Sequence, residues 1–227
     1  MSTYDGVVTP GGPSQARELG EVTIRKMSVS AMHNNVYLLS HRDGPQVLID
    51  AADDAPRVLE FIAEGGGGRH GIRLDALITT HQHWDHVRAL ADVAAATGAG
   101  TYAGEDDADA LPVAPDVRLQ QGDWIAVGPL SLDVVYLRGH TPGSVALAYT
   151  DPADDNRVHL FTGDALFPGG VGNTKMPGQD FDSLYADVTK RIFDVYDDRT
   201  IVYPGHGADT ILGVERPHLA EWRARGW

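Results

Sequence analysis

Between residues 21 and 50 the chain alternates apolar and polar positions in three short runs, "EVTIRKMSV", "NNVYLLS" and "QVLID", rich in β-branched and aromatic side chains. Turn signals such as "RDGP" separate them, and the pattern predicts a meander of three strands. The period then changes: Val58, Leu59 and Ile62 in "APRVLEFIAE" fall at helical spacing, and the glycines from Gly65 to Gly68 end that helix. "LDALITT" predicts a buried strand, "DHVRALADVAAATG" a helix with Gly98 just past its end, and "AGTYAG" another strand. The plan then repeats. "WIAVG", "LSLDVVYL", "SVALAYT" and "RVHLFTG" predict strands, "FDSLYADVTKRIFDVY" a helix, "RTIVYPG" a last strand and "GVERPHLAEWRARGW" a short last helix. Residues 1–20, rich in Pro and Gly, are expected to form a flexible tail, and residues 21–227 a single domain. Two runs of strands, each with its helices, predict two sheets packed face to face with helices outside.

Composition narrows what such a domain can do. With 42% apolar residues among 227 the chain can bury a sizeable core. Its 32 acidic residues against 18 basic ones give a net charge of −14, which opposes binding to nucleic acid or to an anionic membrane surface. No apolar run approaches the roughly 20 residues of a bilayer span, and the N-terminus lacks the basic and apolar regions of an export signal, so a cytoplasmic protein is expected. The absence of cysteine excludes disulfides and thiolate chemistry and leaves His, Asp and Glu as the strong metal ligands. Nothing in the sequence signals an oligomeric state.

Four segments carry candidate chemistry, and each lies where a predicted strand ends. "THQHWDH" places His81, His83, Asp85 and His86 within six positions at a strand-to-helix junction. Such a cluster arises by chance in roughly two of a thousand chains of this composition. "GHTPGS" places His140, "FTGDALF" places Asp164, and "YPGHG" places His206, each immediately after a glycine. Side chains at strand ends converge above a rigid backbone, which suits a binding site. Five His and two Asp exceed the needs of one tetrahedral ion and suit two metals sharing a carboxylate and a water.

These four segments resemble the motifs of the metallo-β-lactamase superfamily, and their wording is most similar to its glyoxalase II branch, the hydroxyacylglutathione hydrolases and their shorter bacterial relatives. The resemblance runs from about Asn34, in "NNVYLL", to about Glu215, in "LGVER". It implies an α/β fold, a four-layer αββα sandwich forming a single domain, with a dinuclear centre at one edge. It further implies that His81, His83 and His140 hold one metal, that Asp85, His86 and His206 hold the second, and that Asp164 bridges them. The implied cofactors are two divalent ions, zinc first, with iron or manganese as alternatives. The implied reaction is hydrolysis of a small-molecule thioester by attack of a hydroxide shared between the ions, with Asp85 orienting that hydroxide.

The chain departs from the full-length glyoxalase II pattern in two places that bear on substrate. Only 21 residues follow His206, too few for the helical domain that helps those enzymes hold glutathione, and Asn173 stands where they carry a basic residue, with Lys175 two positions on. A thioester of another low-molecular-weight thiol, such as mycothiol, is therefore an alternative to glutathione. Trp84 and His33 are further candidates to line the cleft. Other chemistries of similar folds are the mononuclear iron persulfide dioxygenases, lactonases, phosphodiesterases and β-lactamases.

Overall fold

The computed structural model describes residues 4–66 and 73–226. Four antiparallel strands open the chain: β1 (Gln15–Glu18), β2 (Val22–Val29), β3 (Asn34–His41) and β4 (Gln46–Ile49). Helix α1 (Ala55–Gly65) follows, started by Asp54, whose carboxylate accepts from the Arg57 N–H, and by Pro56 in its first turn. The last two glycines of the expected helix stop, residues 67 and 68, lie outside the described residues. Strand β5 (Ala76–Thr79), helix α2 (Leu90–Thr97), β6 (Gly100–Gly104) and β7 (Val117–Leu119) extend the first sheet to seven strands in sequence order, β4 to β7 running parallel.

The second sheet is built from β8 (Trp124–Val127), β9 (Leu130–Tyr136), β10 (Val145–Asp151) and β11 (Arg157–Gly163). A two-stranded hairpin, β12 (Leu166–Phe167) with β13 (Gly170–Val171), interrupts it before helix α3 (Phe181–Val188). The chain returns as β14 (Ile201–Pro204), parallel to β11, and β15 (Thr210–Ile211), giving the order β15-β14-β11-β10-β9-β8. Helices α4 (Leu212–Glu215) and α5 (Leu219–Arg225) close the chain.

Strand periodicity makes the four layers. In β5, Ala76 and Ile78 face the second sheet while Leu77 faces α1 and α2. In β10, Val145, Leu147 and Tyr149 face the first sheet while Ala146 and Ala148 face α3 to α5. Both sheets are therefore apolar on both faces, and the expected αββα sandwich is the observed one. No helix among the described residues is long and apolar enough to cross a membrane.

Several expected elements differ. Residues 4–20 are not a loose tail: Gln15–Glu18 pairs with β2 as an edge strand, Val8 is buried, and Pro10 bridges to Ser28. An edge strand held by backbone bonds carries no apolar alternation, so "QARE" gives no strand signal. The helix expected from residue 85 begins at Leu90, after a single tight turn at Trp84–His86 whose Asp85 and His86 are buried. The helix expected over 181–196 is regular only to Val188 and then widens through a π-turn over Thr189–Phe193. Pro217 divides the last helix into α4 and α5, with a 3₁₀ turn at Arg216–His218 between them. The two-residue strands β12, β13 and β15, and the three-residue β7, are too short to register as patterns.

Candidate metal centre

The ends of β4, β5, β9, β11 and β14 deliver Asp50, His81, His140, Asp164 and His206 to one place. Three three-donor groups result among the described residues, one of Asp50, His81 and His86 and the other two those expected from the sequence. Donor atoms of His81, His83 and His140 lie within 4.8 Å of one another, as do those of Asp85, His86 and His206. Asp164 stands between them: its Oδ1 lies 3.4 Å from His86 Nε2, and its Oδ2 lies 3.6 Å from His140 Nε2 and 3.4 Å from His206 Nε2. All seven residues named from the sequence are thus brought together.

The hydrogen bonds behind the rings fix where the protons are. His140 Nδ1 is 2.7 Å from the Asn173 carbonyl and His206 Nδ1 is 2.9 Å from the Met32 carbonyl. A carbonyl only accepts, so both rings carry their proton on Nδ1 and turn the Nε2 lone pair inward. His86 Nδ1 donates to Asp50 Oδ2 at 2.9 Å with the same result. The Thr80 hydroxyl donates to Asp50 Oδ2 at 2.7 Å, so its oxygen accepts from His81 Nδ1 at 3.0 Å. Four imidazoles therefore aim lone pairs at one another and at two carboxylates.

Such an arrangement needs positive charge. The buried Nε2 atoms of His81 and His140 and Oδ1 of Asp164 have no hydrogen-bond partner, and His86 Nε2 faces His206 Nε2 at 3.2 Å. Burial keeps His81 well below its ordinary pKa and hence neutral, as a ligand must be. For His206 burial also opposes protonation, but the hydrogen bonds to Asp164 and Asp85 outweigh it and push the group up to about 10. His86 is likewise raised, against burial, by Asp164 and Asp50. Burial works against ionised Asp164 and Asp85 too, yet the surrounding imidazoles, joined at Asp85 by Asn34, hold both carboxyls below the usual range. Without cations, protons must supply the missing charge. The donor set and its orphaned atoms fit divalent ions.

Three residues that the sequence reading did not single out hold the ligands in place. Asp50, 2% exposed and with φ of 59°, accepts from the Thr80 N–H and Oγ1 and from His86. It is a third strand-end acid, after β4, so the rule that found Asp164 also reaches it. Asp107, fully buried, accepts from the Gln82 N–H at 2.8 Å, from Thr141 Oγ1 at 2.6 Å and from the Gly143 N–H at 2.6 Å. It ties the loop of His81 and His83 to the loop of His140. Asn34 donates to Asp85 Oδ2 at 2.9 Å. At Gly205 a Cβ would lie 2.8 Å from His86 Cε1 and closer still to Asp164 Oδ1, so the glycine before His206 is required by the site's own packing.

The expected cleft residues are less uniformly placed. A cleft of about 360 Å³ opens beside His140, Asp164 and His206 and is lined by Phe167, Val171 and Asn173. Asn173 contributes its carbonyl to His140, while its side chain accepts from the Lys175 N–H. Trp84 is 54% exposed with the Arg88 guanidinium 3.9 Å from its ring centre. Lys175 and His33 are exposed, and neither side chain forms a hydrogen bond to the described ligands.

Residues 30–206 match the family described as the metallo-beta-lactamase superfamily, and the chain belongs to that superfamily. At this level it is a metal-dependent hydrolase. It is 27% identical over 214 residues to the hydroxyacylglutathione hydrolase GloC of Haemophilus influenzae, covering 86% of this chain and 95% of that one. Among solved structures it resembles ETHE1 from Myxococcus xanthus, with a TM-score of 0.74 and 28% identity over 88% of this chain and 84% of that one. It also resembles TTHA1623 in a di-iron-bound form, with a TM-score of 0.68 and 31% identity over 84% of this chain and 96% of that one.

Proposed function

We propose that this protein hydrolyses small acyl thioesters of a low-molecular-weight thiol, using two divalent ions, zinc first, held by His81, His83 and His140 and by Asp85, His86 and His206, with Asp164 between them. The observation that carries the reading is the set of inward Nε2 lone pairs, fixed by Asn173, Met32, Asp50 and Thr80 and facing two ionised carboxylates. Bound there, the ions supply a lowered water pKa and a polarised carbonyl.

The protein's own groups do the rest. Asn34 engages Asp85 Oδ2, and the carboxyl stays ionised, so Asp85 is placed to orient a water by its other oxygen. The cleft wall of Phe167, Pro168 and Val171 is apolar and excludes water from one side of the acyl group. The described lining holds no Lys, Tyr or Glu to protonate a departing amine or alkoxide, which favours a thiolate because it leaves as an anion. The likeness to GloC, spanning 86% of this chain and 95% of that one, supports the same substrate class.

The test is a panel at matched acyl group: S-lactoylglutathione, the mycothiol ester, a simple thiol ester, an oxygen ester, a lactone and a phosphodiester, together with glutathione persulfide under oxygen-uptake recording. Thioesters are expected to lead in kcat/KM by at least about tenfold, with glutathione esters showing a high KM. A lactone or phosphodiester that leads instead refutes the thioesterase reading, and oxygen uptake with the persulfide refutes the hydrolytic one.

A further inference from the structure

Lys26, on β2, has no exposed surface, and a buried ammonium is strongly disfavoured unless every hydrogen finds an acceptor. Its three hydrogens are all used: Nζ lies 2.7 Å from the Gly6 carbonyl, 2.7 Å from the Gly207 carbonyl and 2.6 Å from Asp209 Oδ1. The other oxygen of Asp209 accepts from the Tyr4 hydroxyl at 2.6 Å. One ammonium therefore joins the N-terminal segment to both sides of the turn that follows His206. Asn35 donates to the carbonyls of Pro204 and Gly207 at 2.8 and 3.0 Å, which fixes the turn from the β3 side. Gly207 itself has φ of 72°, so the chain reverses immediately after His206 and its path depends on these anchors.

We propose that Lys26 is a positioning residue for His206, and that residues 4–6, through Tyr4 and Gly6, complete the second metal site without touching it. Displacing the Gly207 carbonyl would swing the His206 ring away from Asp85 Oδ2 and Asp164 Oδ2, both 3.4 Å from its Nε2, whereas His81, His83 and His140 lie on loops that Lys26 does not touch. The inference rests on the reading that His206 holds the second ion.

The experiment is cobalt titration of the metal-free protein, followed by visible absorption against a competing chelator. Lys26→Met leaves Asp209 buried without its cation and can fail to fold. Lys26→Met/Asp209→Leu removes both charges and carries the test, with Tyr4→Phe as a milder variant. In the double variant the second dissociation constant is expected to rise about 10- to 100-fold with the first within twofold of wild type. Tyr4→Phe should shift the second constant alone, in the same direction. Val58→Ala, in the α1 core, should lower thermal stability and move neither constant. A folded double variant with a wild-type second constant, or one in which both constants rise together, overturns the proposal. His206→Ala separates the two readings: if it keeps wild-type affinity for the second ion, the two-ion assignment is what fails.

Discussion

Asp50→Asn changes one buried atom and should disable both metal sites while leaving the fold intact. The Thr80 N–H is fixed backbone 2.7 Å from Asp50 Oδ1, so the amide oxygen of the variant must occupy that position. Its NH₂ then faces Thr80 Oγ1 and His86 Nδ1, where the carboxylate had accepted at 2.7 and 2.9 Å. The network has one way to stay satisfied. His86 accepts on Nδ1, Thr80 accepts from the amide and turns its hydrogen to His81 Nδ1, and both rings move their protons to Nε2. That places N–H groups where lone pairs pointed inward. Loss of a ligand-orienting partner costs about 10- to 100-fold in metal affinity, or about 1.4 to 2.8 kcal/mol, and here the loss applies once to each ion. Stability of the metal-free protein should fall by about 1–3 kcal/mol, because the new N–H at His81 Nε2 is buried at an atom with no partner, whereas Asp50→Ala strands three donors at about 1–3 kcal/mol each. Chelator-competition titration gives both dissociation constants, urea denaturation of the metal-free protein gives stability, and long-range nitrogen NMR gives the tautomers. An Asp50→Asn protein with both dissociation constants within threefold of wild type would refute the tautomer argument.

Two further outcomes follow from the same contacts. Asp164→Ala should abolish nearly all hydrolysis and release the second ion with little loss of stability, because Asp164 lies beyond the end of β11 and contributes no core surface; a variant that retains both ions and turnover removes it from the bridging position. His159, 1% exposed, is held down to about 4 by burial and by Arg17 and Arg157, so the unfolded chain binds a proton that the folded one does not. Its contribution is complete above about pH 6.5 and is lost as pH falls towards 4, amounting to about 2 kcal/mol by pH 5. His159→Leu should lose that much less stability than wild type between pH 7 and pH 5 in urea titrations of the metal-free protein, and parallel losses in the two proteins would contradict the assignment.

The seven candidate ligands were legible for a physical reason. Each lies within a few residues of the end of a strand whose apolar run is visible, and a strand end fixes position without knowledge of the rest of the fold. The sandwich was legible for the same reason, since β5 and β10 are apolar on both faces and must be covered twice. The supports were not. Asp107 is one of 25 aspartates, and nothing in "GEDDADA" distinguishes it from Asp106 or Asp109. Its role exists only because the loop at 82 and the loop at 141–143 pass within hydrogen-bonding distance of one carboxylate. Lys26 shares a strand face with Val22 and Ile24, so alternation points it towards the inter-sheet core while its charge reads as a solvent position. Its burial becomes intelligible once residues 4–6 are seen to cover it, and those are residues whose Pro- and Gly-rich surroundings read as a tail. Asp50 is the instructive intermediate. It has the same strand-end signal as Asp164 but no glycine before it, so the ligand pattern passes over it, although it sets the protons on two of the rings that the pattern found. Ligands are written as local clusters because one ion must be reached by several short side chains, whereas the groups that orient them need only meet each ring's far nitrogen, and any element that passes behind the ring can supply them.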